Sequence, residues 1–248
     1  GIKKNMGYHE SLTEGRNAVL EAFRSGKTVD RLFVLDGCQD GPVKTILREA
    51  KKQDTMVQYV KKERLDQLSE TKNHQGVIAY CAACEYAEVS DILENAKKKG
   101  EAPFIVLLDG IEDPHNLGAI IRTANQAGAH GVIIPKRRAV GLTATVARTS
   151  AGAVNYTPVA KVTNLVTVME DLKKEGMWFV CADMDGEEMY SLNLKGPIGL
   201  VIGNEGEGVS RLVKEHCDMV ASIPMKGDID SLNASVAMGV LAYEIVRQ

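Results

Sequence analysis

The sequence predicts an α/β protein with a mostly parallel sheet in its second part, preceded by a small α/β/α unit. Three observations lead there. Past Pro103 the chain alternates near-continuous apolar runs (104–108, 131–134, 178–181 and 199–202) with helical segments, and strands that are apolar on both faces belong in a sheet covered by helices. Over the first eighty residues, shorter helix and strand signals alternate. Between the two regions the composition shifts to acidic, basic and small residues and leaves through Lys-Gly-Glu-Ala-Pro, which marks a linker. The expected division of the 248 residues is 1–85, a linker 86–102, and 103–248.

Taken in order, residues 12–23 carry apolar side chains at helical spacing and stop at Ser25-Gly26. Residues 31–35 read as a strand ended by Asp36-Gly37, 43–52 as a helix, 56–60 as a strand and 62–69 as a short helix. Asn73-His74-Gln75-Gly76 is a polar turn into a buried strand at 77–83. One amphipathic helix, 89–98, falls inside the linker. The first strand of the second part ends in Asp109-Gly110 and enters a helix through Asp113-Pro114-His115-Asn116, another ends in Gly203-Asn204-Glu205-Gly206-Glu207-Gly208, and a helix runs from about Ser231 to Gln248.

Composition narrows the function. Hydrophobic residues at 44% and charged residues at 25% are the balance of a globular protein. No apolar run approaches the ~18 residues of a membrane span, and the first six residues lack a signal peptide's hydrophobic stretch. A cytoplasmic protein with no membrane partner is expected. The five cysteines are an odd number scattered through apolar segments and read as reduced core residues. Cys81-Ala-Ala-Cys84 has a zinc pair's spacing, but nothing completes four ligands, so no metal is expected. A net charge of −3 argues against coating nucleic acid by bulk positive charge. Local patches remain: Lys136, Arg137 and Arg138, and nearer the N-terminus Arg16, Arg24, Lys27 and Arg31.

In an open parallel sheet, ligands bind beyond the carboxyl ends of the strands. Three loops there carry polar, glycine-rich sequence: 109–118, 203–208 and 223–235. Each also has a plain structural reading, since Asn116 and Ser231 are plausible helix caps and 203–208 a tight turn. Arg122 weighs against those readings. It falls on a helix of otherwise small and apolar residues, where a guanidinium is expected to be partly buried and to need an anionic partner, either Glu205 or a ligand phosphate. The glycine loop is G-x-x-G-x-G and occurs late in the chain, unlike a dinucleotide fingerprint. No Walker pattern is present either.

Together the segments 116–124, 202–209 and 223–235 resemble the three motifs of the SpoU (TrmH-type) RNA ribose 2′-O-methyltransferases, a branch of the SPOUT superfamily. Residues 15–22 and 73–77 are similar to the L30e-like RNA-binding domain that precedes the catalytic domain in the RlmB-like group, which acts on guanosine of 23S rRNA. Ala234 stands where many relatives carry Val, and Ile229-Asp230 where Val-Glu is common. The resemblance implies a deep trefoil knot, a homodimer whose second subunit helps complete the site, a ribosomal RNA substrate and S-adenosylmethionine as cofactor. It implies contacts to that cofactor from Gly203, Ile223 and Leu232, with Asn204 and Met225 nearby. Arg122 matches the family's catalytic arginine, and Asn116, Glu205, Ser231 and Asn233 would orient the arginine, ribose and cofactor. Two alternatives stay open. A tRNA ribose methyltransferase is disfavoured by the separate N-terminal domain, and a non-catalytic RNA-binding assembly factor would be marked by a broken motif.

Overall fold

A computed structural model describes residues 11–248; the reading of the first six residues lies outside them. The chain divides into two compact units, one running up to Glu85 and including 141–144, the other comprising 86–140 and 145–248.

The first unit contains β1 (Ser11–Glu14), α1 (Arg16–Arg24), β2 (Val29–Leu35), α2 (Gly41–Lys52), β3 (Met56–Val60), α3 (Lys62–Leu68) and β4 (Val77–Cys81). Its sheet runs β1-β4-β2-β3, with β2 and β3 parallel and the other pairs antiparallel. The helix expected from residue 12 begins only at Arg16. Leu12 pairs instead with Tyr80 of β4, and Gly15 turns the chain at φ 88°, a conformation that favours glycine. Val19, Phe23, Leu32, Val34, Val43 and Ile46 form the main core. The 73–76 turn is fixed by buried His74, whose Nδ1 accepts the Gly76 N–H at 2.9 Å while Nε2 faces Asp66 at 2.7 Å. That pairing puts the ring proton on Nε2, where it is donated to the carboxylate.

The second unit contains α4 (Val89–Lys99), β5 (Phe104–Asp109), α5 (Pro114–Gln126), β6 (Gly131–Pro135), α6 (Ala144–Thr149), β7 (Val159–Val162), α7 (Leu165–Lys174), β8 (Trp178–Glu188), β9 (Ile198–Gly203), α8 (Arg211–Glu215), β10 (Met219–Ser222) and α9 (Ala234–Arg247), α6 starting on the shared residue Ala144. Six strands in the order β10-β8-β9-β5-β6-β7 form a wholly parallel sheet, as the two-sided apolar runs predict. The sequence reading passed over β7 and β10. Both are four-residue edge strands with too few residues to set up a period. The helix α4, in the stretch expected to link the domains, packs Ile92 into the core of this unit and meets Gly131 so closely that a Cβ there would overlap the Ile92 side chain. Among the described residues, no helix is long and apolar enough to cross a membrane.

The feature that shapes the site is a break in β8. Its pairing with β10 passes from Val220 opposite Cys181 to Ala221 opposite Glu187, so 182–186 are pushed out of register as a bulge. Gly186 lets this happen, because a Cβ there would strike the Val220 carbonyl.

Candidate active site

A cleft of about 310 Å³ lies beside the bulge in β8 and at the carboxyl ends of β9 and β10, within the roughly 300–1,000 Å³ of small-molecule sites. Its walls are the bulge (182–185), the loop after β9 (203–208) and the segment between β10 and α9. Gly203, Asn204, Ile223, Met225 and Leu232, the residues expected to hold a cofactor, all line it, as do Glu205 and Ser231. The loop after β9 is held by Asn204, whose amide donates to the Gly110 carbonyl at 3.2 Å and whose Oδ1 accepts the Gly206 N–H at 2.8 Å. A side chain at Gly203 would overlap the backbone of Gly208 and Val209, so the loop closes only on glycine.

At the rim, three residues far apart in sequence share hydrogen bonds. The Glu205 Oε1 accepts from the Ala234 N–H at 3.0 Å, from the Asn116 amide at 3.4 Å and from the Asn233 amide. Asn233 also donates to Asn116 Oδ1 at 3.1 Å. The caps differ from those expected. Asp113 caps α5 by accepting from the N–H groups of His115 and Asn116, which frees Asn116, and Asn233 rather than Ser231 caps α9, its Oδ1 accepting from Ser235 and Val236. One side chain therefore starts the helix with its oxygen and builds the rim with its nitrogen. Asn233→Ala is expected to cost about 1 kcal/mol of stability in denaturant unfolding, and Asn233→Asp, which keeps the cap oxygen but sets a second carboxylate against Glu205, to recover only part of it while leaving activity impaired.

Arg122 departs from expectation. The buried face of α5 is Leu117, Gly118, Ile120, Ile121 and Ala124, and position 122 falls on the other side. Its side chain is exposed and has no ion-pair or hydrogen-bond partner among the described residues. Six positions on from Asn116, it points about 120° away around the helix, so within one chain it does not join the rim. The cations expected to meet RNA are also rearranged. Arg16 turns inward, paired with Asp40 and donating from Nε to the Gln75 carbonyl at 3.2 Å. Arg138 pairs with Glu207 at 3.0 Å, and Lys136 is half-buried. Arg24, Lys27, Arg31 and Arg137 are exposed.

The sequence reading missed the bulge. Asp183 and Asp185 join Glu205, Glu207 and Asp230 along the cleft, and no lysine or arginine is among its lining residues. Such a cleft suits a cationic ligand and opposes a pyrophosphate. The Asp185 N–H at 2.9 Å, helped by the Lys214 ammonium at 3.2 Å, holds the Asp183 carboxyl below the ordinary aspartate range against the opposing effect of burial. A depressed carboxyl stabilises the fold above its unfolded pKa, about 3.9, and that contribution is lost as pH falls through the folded value. Asp183→Asn is thus expected to destabilise the protein at pH 7, and its difference from wild type to shrink as pH falls through the folded value in parallel unfolding titrations. Among the described residues, no group of three or more His, Cys, Asp or Glu is placed to hold a metal ion.

Comparison with known proteins defines the class. Residues 103–243 match the SpoU rRNA Methylase family, and residues 12–87 match the family described as RNA 2′-O ribose methyltransferase substrate binding. A Bacillus subtilis protein named for the TrmH family of tRNA/rRNA methyltransferases is 49% identical over 236 residues, covering 94% of each chain. Among solved structures, the SpoU methyltransferase AviRb of Streptomyces viridochromogenes, in complex with the cofactor AdoMet, superposes with a TM-score of 0.61 at 26% identity, covering 100% of this chain and 94% of that one. An AdoMet-bound rRNA methyltransferase of Sinorhizobium meliloti gives 0.60 at 25% identity, covering 96% and 87%. A parallel sheet with this cleft, carried behind a substrate-binding domain, is that of an RNA methyltransferase. The chain belongs to the SpoU rRNA methylase family.

Proposed function

We propose that the chain uses S-adenosylmethionine to methylate a ribose 2′-hydroxyl of a guanosine in 23S rRNA, acting in the cytoplasm. The observation that carries the reading is the convergence of 203–208 and 223–233 on one acidic cleft, with Asn116, Glu205 and Asn233 hydrogen-bonded at its rim. The residues fit the cofactor: Ile202, Ile223 and Leu232 offer apolar walls, and the carboxylates suit a cation. When bound, S-adenosylmethionine supplies a sulfonium methyl group, which needs no metal for its transfer.

The residues of the chain then have separable tasks. Glu205 fixes Asn116 and Asn233, whose amides position the ribose beside Ser231. A guanidinium is a charge rather than a base; that of Arg122 binds the adjacent phosphate and stabilises the developing alkoxide. Because Arg122 faces away from its own rim, this role calls for the cleft of a second copy. A homodimer is supported by α9, which packs on α5 where Gly239 meets Thr123 and leaves Val236, Tyr243 and Val246 about half exposed as an apolar stripe. A trefoil knot agrees with the chain path, since β10 lies at the sheet edge while α9 returns to β9 and α5. Arg24, Lys27, Arg31 and Arg137 are the proposed RNA contacts from the sequence set, with Arg16 kept for holding α1 to α2.

The reading is tested by mass-spectrometric mapping of ribose methylation on 23S rRNA and tRNA incubated with the protein and labelled S-adenosylmethionine. A single 2′-O-methylguanosine in 23S rRNA is expected. Methylation confined to tRNA would overturn the substrate assignment, and none on either RNA would overturn the activity.

A further inference from the structure

Cations on the first unit that the sequence analysis does not single out form an exposed basic surface. Lys44, Arg48 and Lys51 follow one another at four and three positions along α2, which places them on one face in a ridge about 10 Å long. With Gly41 and half-buried Leu47 they line a shallow groove of about 520 Å³. All three are exposed, and none has a carboxylate within ion-pair distance among the described residues. Lys52, one step round the helix, is by contrast paired with Glu49 at 3.3 Å.

Helix stability does not account for the ridge. Lys44 sits near the start of α2, whose first turn has no acidic residue, and a cation there opposes the positive end of the helix dipole. Three like charges along one face also repel. The ridge is nevertheless held firmly. Arg48 donates to the Thr45 hydroxyl at 3.1 Å, Asp40 caps the helix through the Val43 N–H at 3.0 Å, and Arg16 pairs with that same Asp40. No aromatic side chain lines the groove, so it lacks the anchors of a protein interface and of a base-stacking platform.

We propose that Lys44, Arg48 and Lys51 form a binding surface for the phosphate backbone of folded RNA, gripping one strand without reading its sequence. The proposal rests on the functional reading above and deepens it, naming where the substrate-binding unit holds the RNA. Unneutralised cations at this spacing match successive phosphates, whose contacts fix position rather than sequence.

The test measures full-length protein binding to a structured 23S rRNA fragment across a salt series. Each phosphate contact contributes about 0.7–0.9 to the slope of log affinity against log salt, so Lys44→Gln/Arg48→Gln/Lys51→Gln is expected to flatten the slope by about 2–3 and to weaken binding about a hundredfold at 0.15 M salt. Lys52→Gln, and the charge-preserving set Lys44→Arg/Arg48→Lys/Lys51→Arg, are expected to bind within about threefold of wild type, and S-adenosylmethionine affinity to stay unchanged in every variant. A triple glutamine variant that keeps wild-type RNA affinity and slope, while wild type binds and methylates RNA, overturns this inference alone. A wild type that binds no RNA overturns it together with the functional reading. A variant that keeps RNA affinity but no longer binds a ribosomal protein would reassign the ridge to a protein partner.

Discussion

Arg122→Ala is expected to lower the rate of RNA methylation about 10²- to 10³-fold, the loss typical of removing one group that stabilises charge developing in a transition state. The fold should not register the change, because the side chain is exposed and makes no hydrogen bond or ion pair among the described residues; circular dichroism and sedimentation should match wild type. Cofactor affinity, read by calorimetry, should also be unchanged, since residue 122 does not line the cleft. Arg122→Lys keeps the charge and loses the planar fork, so partial activity is expected. Mixing Arg122→Ala with a cleft-dead Gly203→Val variant should restore activity if each site takes its arginine from the other copy. Wild-type turnover in Arg122→Ala would end the assigned role, and failure of the mixture to recover activity would end the shared site.

Glu205→Ala gives the second large effect. The carboxylate gathers three donors on one oxygen, so its removal leaves Asn116 and Asn233 joined only by their own hydrogen bond and takes an acceptor from the Ala234 N–H at the start of α9. The residue is exposed, so water takes up the abandoned donors and stability should fall by about 1 kcal/mol or less. The rim loses its geometry, however, and kcat/KM should fall about 10²-fold or more. Glu205→Gln retains one acceptor oxygen and should fall between the two. A proportionate loss of stability and activity would mean that Glu205 only holds the fold together.

How far these residues were readable differs from one to the next for physical reasons. The parallel sheet was legible because β5, β6, β9 and the 179–181 stretch of β8 are buried on both faces and therefore written in near-continuous apolar residues. The residues that line the cleft were legible through the resemblance of 202–209 and 223–235 to family motifs, and Gly203 has its own physical reason, since a Cβ there would overlap Gly208 and Val209. The orientation of Arg122 was not. Small apolar neighbours predict burial of the helix as a whole, but not which of its faces meets the sheet. Nor was the acidic wall of the cleft, because Asp183-Met184-Asp185 reads as an ordinary loop following an apolar strand. Only the shift in β8–β10 pairing brings it to the wall of the cleft. The α2 ridge is three separate letters in the sequence, and becomes one surface only when four- and three-residue steps are wound onto a helix.

The rim joins Asn116 to Glu205 across 89 positions and to Asn233 across 117. The central strands β5 and β9 pair across a comparable stretch of chain, so what sets the rim apart is its need for Asn233 and Ala234 at the start of α9, the final element of the chain. The catalytic surface should therefore be the last part of the enzyme to mature: a partially folded chain with its central strands already protected against hydrogen exchange would still be inactive until α9 docks. Refolding followed by amide protection and by methyl transfer in parallel should show a lag between the two signals, set by the arrival of that one helix.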